Sequence, residues 1–236
     1  MKLGIMQPYF FPYLGYWQLM NAVDTYVIFD DVAYIKRGWI NRNRIKINGE
    51  ARPICLPVRD ASQNRTIQMH KLALDKKTKA RLCRSLDLAY RRAPYHAEVM
   101  QLFSGVLDTP TDSLSELLCR GIRDTADYLG IRPRFLLSSE LEKDTSKRGQ
   151  DKILDLCTRL GATAYYNAIG GKKLYDAQAF RERGIALRFV RMEDDIRYAQ
   201  GSGPFLPGLS ILDVMMYNSR EALRALLARY TLEEIE

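Results

Sequence analysis

The sequence predicts an α/β fold: a parallel sheet carrying an inserted β-hairpin and a helical cap subdomain. Three observations lead there. Short apolar runs alternate with helical segments in the first thirty residues and again after residue 130, as strands of a parallel sheet joined by helices do. An Asn48-Gly49 pair stands between two apolar-containing runs, a strong short-range sign of a hairpin. Between residues 74 and 129 three helical patterns follow one another without an intervening strand.

Residues 2–6 read as a short buried strand, residues 14–23 as a helix with Leu14, Trp17 and Leu19 inward, and residues 26–29 as a second strand ending at Asp30-Asp31. Strand, helix, strand at this spacing is a βαβ unit with its two strands parallel. The run RIKINGEARPICLPV is expected to form the hairpin, with Pro53 marking an edge or irregular arm. Residues 74–92, 94–107 and 113–129 read as the cap helices. Asp75 is placed to cap the first, Pro94 suits the first turn of the second, and Ser113 with Glu116 forms a capping-box pattern closed by Gly130. Residues 135–138, 163–166 and 185–190 read as strands, 149–160 and 174–183 as helices, and two more helices are expected at 211–217 and 221–230. The expected organisation is one α/β domain over residues 1–236, with residues 74–130 as a helical cap inserted in it.

Composition narrows the class. The 236 residues are 47% hydrophobic and 10% aromatic, enough for a core rather than a disordered chain. No run of eighteen apolar residues occurs, so no membrane insertion is expected. The N-terminal apolar stretch stops at Gln7-Pro8, too short for a signal core, and a cytoplasmic protein is expected. Cys55, Cys83, Cys119 and Cys157 are scattered and read as buried reduced thiols, and with only His70 and His96 no zinc site is expected. The formal charge of +8 suits phosphate-bearing or acidic partners, or else a solvated basic face.

Ligands of open α/β sheets bind beyond the carboxyl ends of the strands, and four loops fall there. In the first, Gln7 has an amide that both donates and accepts, and Tyr9, Tyr13 and Tyr16 can stack and hydrogen-bond; the neighbouring Phe10 and Phe11 read as plugs. The second, YIKRGWINRNRIK, gathers Lys36, Arg42 and Arg44 around Trp39 and Asn41, and Arg offers a rigid fork for phosphate. Asp30 and Asp31 at the same exit can bind a ribose hydroxyl, a substrate amine or Mg²⁺ beside a phosphate, or hold Arg37 or Arg42 in a salt bridge. The third places Gly170, Gly171 and Lys172 between a strand and a helix, where backbone N–H groups can meet an anion, although the P-loop spacing is absent. The fourth contains Ser210 and Asp213 in a capping-box pattern, Asn218 at the helix end, and before them GSGPFLPG, whose composition suits a lid. No GxSxG or GxGxxG occurs. His96 can be a general base or a structural histidine.

The stretches IMQPYFFPYLGYWQLM, YVIFDDVAYIKRGWINRNRIK and LSILDVMMYNS resemble the WbqC-like family of bacterial proteins over nearly the whole chain. That resemblance implies a role in O-antigen and other surface-polysaccharide biosynthesis. Some members are labelled glycine or aminoacyl transferases, which would decorate an amino sugar. FFPYLGY is also similar, at greater distance, to the FxPxHxGH opening of nucleotidylyltransferases, which implies a Rossmann-like sheet. Tyr13 and Tyr16 stand near the two histidine positions, and tyrosine is not cationic at neutral pH.

The combined expectation is a transferase moving an acyl or aminoacyl group, for instance glycyl, to a nucleotide-linked amino sugar. Tyrosines of the first loop hold base or sugar, and Lys36, Arg42 and Arg44 the phosphates. Gln7, Asp30 or Asp213 orients the amine. The donor is an acidic aminoacyl or acyl carrier protein or an aminoacyl-tRNA. Two alternatives stay open: a nucleotidyltransferase-like enzyme acting on a phosphorylated substrate, and a non-catalytic module that binds a sugar nucleotide or carrier protein.

Overall fold

A computed structural model describes residues 1–234. Five parallel strands form most of one sheet: β1 (Lys2–Met6), β2 (Thr25–Ile28), β5 (Arg134–Leu137), β6 (Ala164–Ala168) and β7 (Ala186–Met192). The order is β5-β2-β1-β6-β7, with β8 (Tyr230–Glu234) added antiparallel to β7. The chain therefore moves outward from β1 through β2 to β5, then returns to build β6 and β7 on the other side. The reversal lies between β1 and β6, the position at which doubly wound sheets open a crevice. β3 (Arg42–Ile47) and β4 (Glu50–Cys55) form the separate hairpin, and its Asn48-Gly49 turn has φ 51° and 79°. Positive φ at both positions matches a type I′ turn.

Strand alternation assigns the two faces. Leu3, Ile5, Val27, Tyr165 and Phe189 pack against α5 (Gly149–Arg159) and α6 (Ala177–Arg181). Tyr26, Ile28, Tyr166 and Val190 face the larger cluster on the opposite side. That cluster takes in α1 (Leu14–Asn21), α7 (Ile211–Tyr217) and α8 (Arg220–Ala228). It also takes in the helices expected as a cap, α2 (Lys76–Tyr90), α3 (His96–Leu107) and α4 (Leu114–Leu129). The three share one apolar core with the sheet. None of the described helices is long and apolar enough to cross a membrane.

Several expectations shift. The helix expected over residues 174–183 shrinks to Ala177–Arg181 and is preceded by a 3-10 turn, Ile169–Leu174. The last helix ends at Ala228, and the next residues form β8, which the charged letters YTLEE hid. Arg191 and Lys172 pair with Glu233, and Arg188 with Glu234, fixing that strand to the sheet edge. Asp75 caps α2 through the Thr78 N–H at 2.7 Å. Ser113 accepts from the Glu116 N–H, but the Glu116 carboxylate turns to the Thr111 hydroxyl, so the reciprocal half of that capping box is missing. Cys55 is exposed and Cys83 half-buried, contrary to the expectation of buried thiols; Cys119 and Cys157 are buried, which pushes both thiols up to about 12.

The first loop is the element most tightly tied. Phe10 and Phe11 are buried against Phe103. Their carbonyls would lack water, and they are met by the Asn43 amide at 3.2 and 2.7 Å. The Ser210 hydroxyl adds a 2.7 Å bond to the Phe11 carbonyl, and the Ile211 N–H bonds Pro12. Replacing Asn43 with Ala removes both amide bonds: the buried Phe10 carbonyl loses its side-chain donor and the Phe11 carbonyl keeps only the Ser210 hydroxyl. Urea unfolding is expected to show a loss of about 2–3 kcal/mol, against a few tenths for an exposed control such as Lys36→Ala.

Candidate functional site

The loops that leave the strand ends build a notch of about 220 Å³ lined by Tyr9, Pro12, Tyr13, Trp39, Asn43 and Gly208. Trp39 is 45% exposed. Its ring lies beside two guanidinium groups, with Arg44 Cζ 5.5 Å and Arg42 Cζ 6.0 Å from the centroid. Arg42 and Arg44 project from the same face of β3, two residues apart. Arg42 Nε donates to Gly38 O at 2.8 Å and Arg44 Nη2 to Gly208 O at 3.3 Å. Neither has an ion-pair partner among the described residues, so each keeps N–H donors for a ligand. Burial raises the phenols of Tyr9 and Tyr13 above the ordinary value, which keeps both hydroxyls protonated as donors. Tyr13 and Gly208 also wall an adjoining groove that reaches Met192, at the end of β7, and Arg197, Tyr198 and Phe205.

The other expected site residues are dispersed. Gln7 accepts from the Tyr9 hydroxyl at 3.3 Å, and its side-chain N–H group makes no bond among the described residues. Tyr16 is buried in the core and donates to the Gln7 carbonyl at 3.0 Å, so it takes no part in the notch wall. Asn41 bridges the Tyr34 hydroxyl and the Leu56 carbonyl. Lys36 is exposed and lies outside the notch lining. Lys172 pairs with Glu233 at 3.0 Å, which occupies its charge. Gly171 crosses close to Asn167, where a Cβ would come within 3.0 Å of the amide oxygen, and Gly170 faces open space. Asn218 bonds the Val214 carbonyl at 2.7 Å, and Ser210 is buried in the loop tie described above.

Asp30 opens on a different cleft, about 390 Å³, together with Ser115, Arg120, Arg123, Ser139 and Glu140. Its carboxylate accepts from the Ser139 N–H and hydroxyl at 3.0 and 2.8 Å. Asp31 holds neither Arg37 nor Arg42; it pairs with Lys143 and Lys152 at 3.0 and 3.1 Å. Burial works against its ionised form, but Lys143 and Lys152 outweigh it and hold the carboxyl below its ordinary value. With both carboxylates so engaged the pair does not fit Mg²⁺ as placed. No group of three His, Cys, Asp or Glu among the described residues is arranged to hold a metal.

Asp213 does not complete a capping box. Its side chain turns inward and accepts from Tyr90 at 2.8 Å, Tyr198 at 2.7 Å and Gln200 at 2.8 Å. Desolvation raises its carboxyl above the ordinary value against those three donors. The cluster joins α2, α7 and the segment expected as a lid, which is further pinned by Gln200 to Leu206 and by Phe205 on Tyr198. His96 lies 3.1 Å from Asp87 of α2. The Asn43 amide and the Tyr90–Tyr198–Gln200 set were not singled out from the letters. Asn43 sat among the counted cations, and the set draws on two stretches distant from each other and from Asp213.

The model of the WbqC-like protein family matches residues 7–225. The chain is also 30% identical over 223 residues to the uncharacterized protein Rv1507c of Mycobacterium tuberculosis, across 94% of this chain and 95% of that one. No solved structure matches at a significant level. The chain belongs to the WbqC-like protein family.

The Asp31 cluster has a stated pH signature. Its carboxyl is depressed in the folded state, so its stabilisation is present above the unfolded value near 3.8 and is lost as pH falls below it. Asp31→Asn leaves Lys143 and Lys152 without their carboxylate and is expected to cost about 3 kcal/mol at neutral pH. The gap to the wild type should close as unfolding is repeated at successively lower pH below that value.

Proposed function

From membership of the WbqC-like protein family and the geometry of the notch, we propose that this protein is a cytoplasmic transferase. It acylates a nucleotide-linked amino sugar during bacterial surface-polysaccharide assembly. The observation that carries the reading is the pair Arg42 and Arg44 beside Trp39 without carboxylate partners. A ring face suits a base or a sugar, and two forked cations with free donors suit a diphosphate. Tyr13 supplies a hydroxyl donor on the opposite wall, while the Tyr9 O–H is directed to Gln7 and leaves its oxygen as an acceptor.

The notch lining includes no carboxylate, imidazole or thiol. Chemistry there rests on positioning an already activated donor, an acyl or aminoacyl thioester or ester. The neutral sugar amine attacks the donor carbonyl; a C–N bond forms, the C–S or C–O bond breaks, and the proton the amine loses passes through solvent to the departing sulfur or oxygen, which leaves as thiol or alcohol. A carrier protein or an aminoacyl-tRNA is acidic, and a chain of +8 attracts either. The same lack of a titratable group favours the second reading, a non-catalytic module that presents a sugar nucleotide to another enzyme.

Calorimetry with a nucleoside-diphosphate amino sugar is expected to give binding that weakens about tenfold or more in Arg42→Ala/Arg44→Ala and in Trp39→Ala. Unchanged affinity in both variants contradicts the reading. Incubation with candidate thioester and ester donors, followed by mass spectrometry of the sugar, separates the two readings: a mass gain marks the transferase, and binding without gain marks the module.

A further inference from the structure

A second cleft lies farther along the same strand. It has a volume of about 510 Å³ and is lined by Lys46, Arg91, Arg92, Gln200, Tyr217 and the Asn48-Gly49 turn, among others. Lys46 follows Arg42 and Arg44 on the same face of β3, so the strand presents a row of three cations. The 204–208 segment crosses that row: Pro204 O accepts from Lys46 Nζ at 2.8 Å and Gly208 O from Arg44. Gly201 is held at φ 71° in contact with Tyr217, where a Cβ would fall 2.7 Å from the hydroxyl.

Lys46 is unusual for a lysine in being only 6% exposed. Its ammonium has three donors, and the Pro204 carbonyl takes one of them. Arg91 and Arg92 stand at the end of α2 without ion-pair partners among the described residues. No Asp or Glu lines the cleft. Asp213, which interacts with Lys46, is already bonded by Tyr90, Tyr198 and Gln200. Three cations against one enclosed carboxyl leave the cavity with an excess of positive charge and of unmet donors. The volume falls within the range of small-molecule sites. Such a cavity calls for a compact, multiply charged anion.

We infer that the cleft of Lys46, Arg91 and Arg92 binds the phosphate of a small phosphate ester or diphosphate, at a site separate from the Trp39 notch. On this assignment β3 serves two anion sites, with the 204–208 segment between them. The assignment stands whether or not the notch holds a sugar nucleotide.

Calorimetric titrations at fixed ionic strength test it, with inorganic pyrophosphate and 4′-phosphopantetheine as separate titrants. The first stands for a free diphosphate and the second for a phosphate on an organic arm. At least one is expected to bind the wild type in the millimolar range or tighter. That binding is expected to weaken about tenfold or more in Arg91→Ala/Arg92→Ala, whose changes are exposed and leave Tm unmoved. Lys46→Met should weaken it as well, provided its Tm shows a folded protein. Trp39→Ala and Arg42→Ala should retain the same event. No binding of either titrant to the folded wild type overturns the assignment. So does unchanged affinity in the Arg91/Arg92 variant, or loss in the Trp39 and Arg42 variants alone.

Discussion

The buried carbonyls of Phe10 and Phe11 must be hydrogen-bonded, and the rest of the candidate site follows from how that is done. A loop that turns two phenylalanine rings into the core takes its own backbone away from water. Asn43 of the hairpin and Ser210 at the start of α7 supply the donors. Both are distant in sequence from the loop they satisfy. Each bond therefore fixes a different part of the chain against the exit of β1. The hairpin is held with Arg42 and Arg44 outward and Asn43 inward, and Gly208 is brought up to face Trp39. β3 and β4 pair with no strand of the main sheet, so the hairpin is fixed over it by this tie together with the Ser210 N–H on the Arg44 carbonyl and the Lys46 N–H on the Tyr90 hydroxyl.

The charge distribution follows a simple division. On the sheet side several cations are matched: Lys143 and Lys152 to Asp31, Lys147 and Arg159 to Asp155, Arg191 and Lys172 to Glu233. On β3 and at the end of α2 they are not. Matched surface pairs contribute little to stability individually, and a row of unmatched cations contributes less than nothing through mutual repulsion. Arg42, Arg44 and Lys46 therefore make physical sense as ligand-facing groups. The anion that would relieve their repulsion comes from outside the chain.

Much of the architecture was legible because local chemistry and global fold agree. The first βαβ unit, the Asn48-Gly49 hairpin, the Asp75 cap and the Gly130 stop each depend on residues close together in the chain. The C-terminal strand was not legible, because only Tyr230 and Leu232 alternate in YTLEE, directly after a helical pattern, and the strand is held by ion pairs to Arg188, Arg191 and Lys172. The site was partly legible. Trp39 with its arginines stood out as a local cluster, and Tyr9 and Tyr13 lie with them. Asp213 read as a helix cap because Ser210 precedes it by three residues. Its true partners, Tyr90, Tyr198 and Gln200, come from two other stretches, and no local pattern foretells such a meeting. Tyr16 read as a ligand group for the same reason: composition shows an aromatic loop but not which rings face inward.

The most direct test of the account is a crystal structure of the protein soaked with a nucleoside-diphosphate amino sugar. The account predicts density in the notch, with a ring against Trp39 and phosphate oxygens within hydrogen-bond reach of Arg42 and Arg44. Density in the Asp30 cleft or over the β1–β6 crevice, with the Trp39 notch empty, would contradict it.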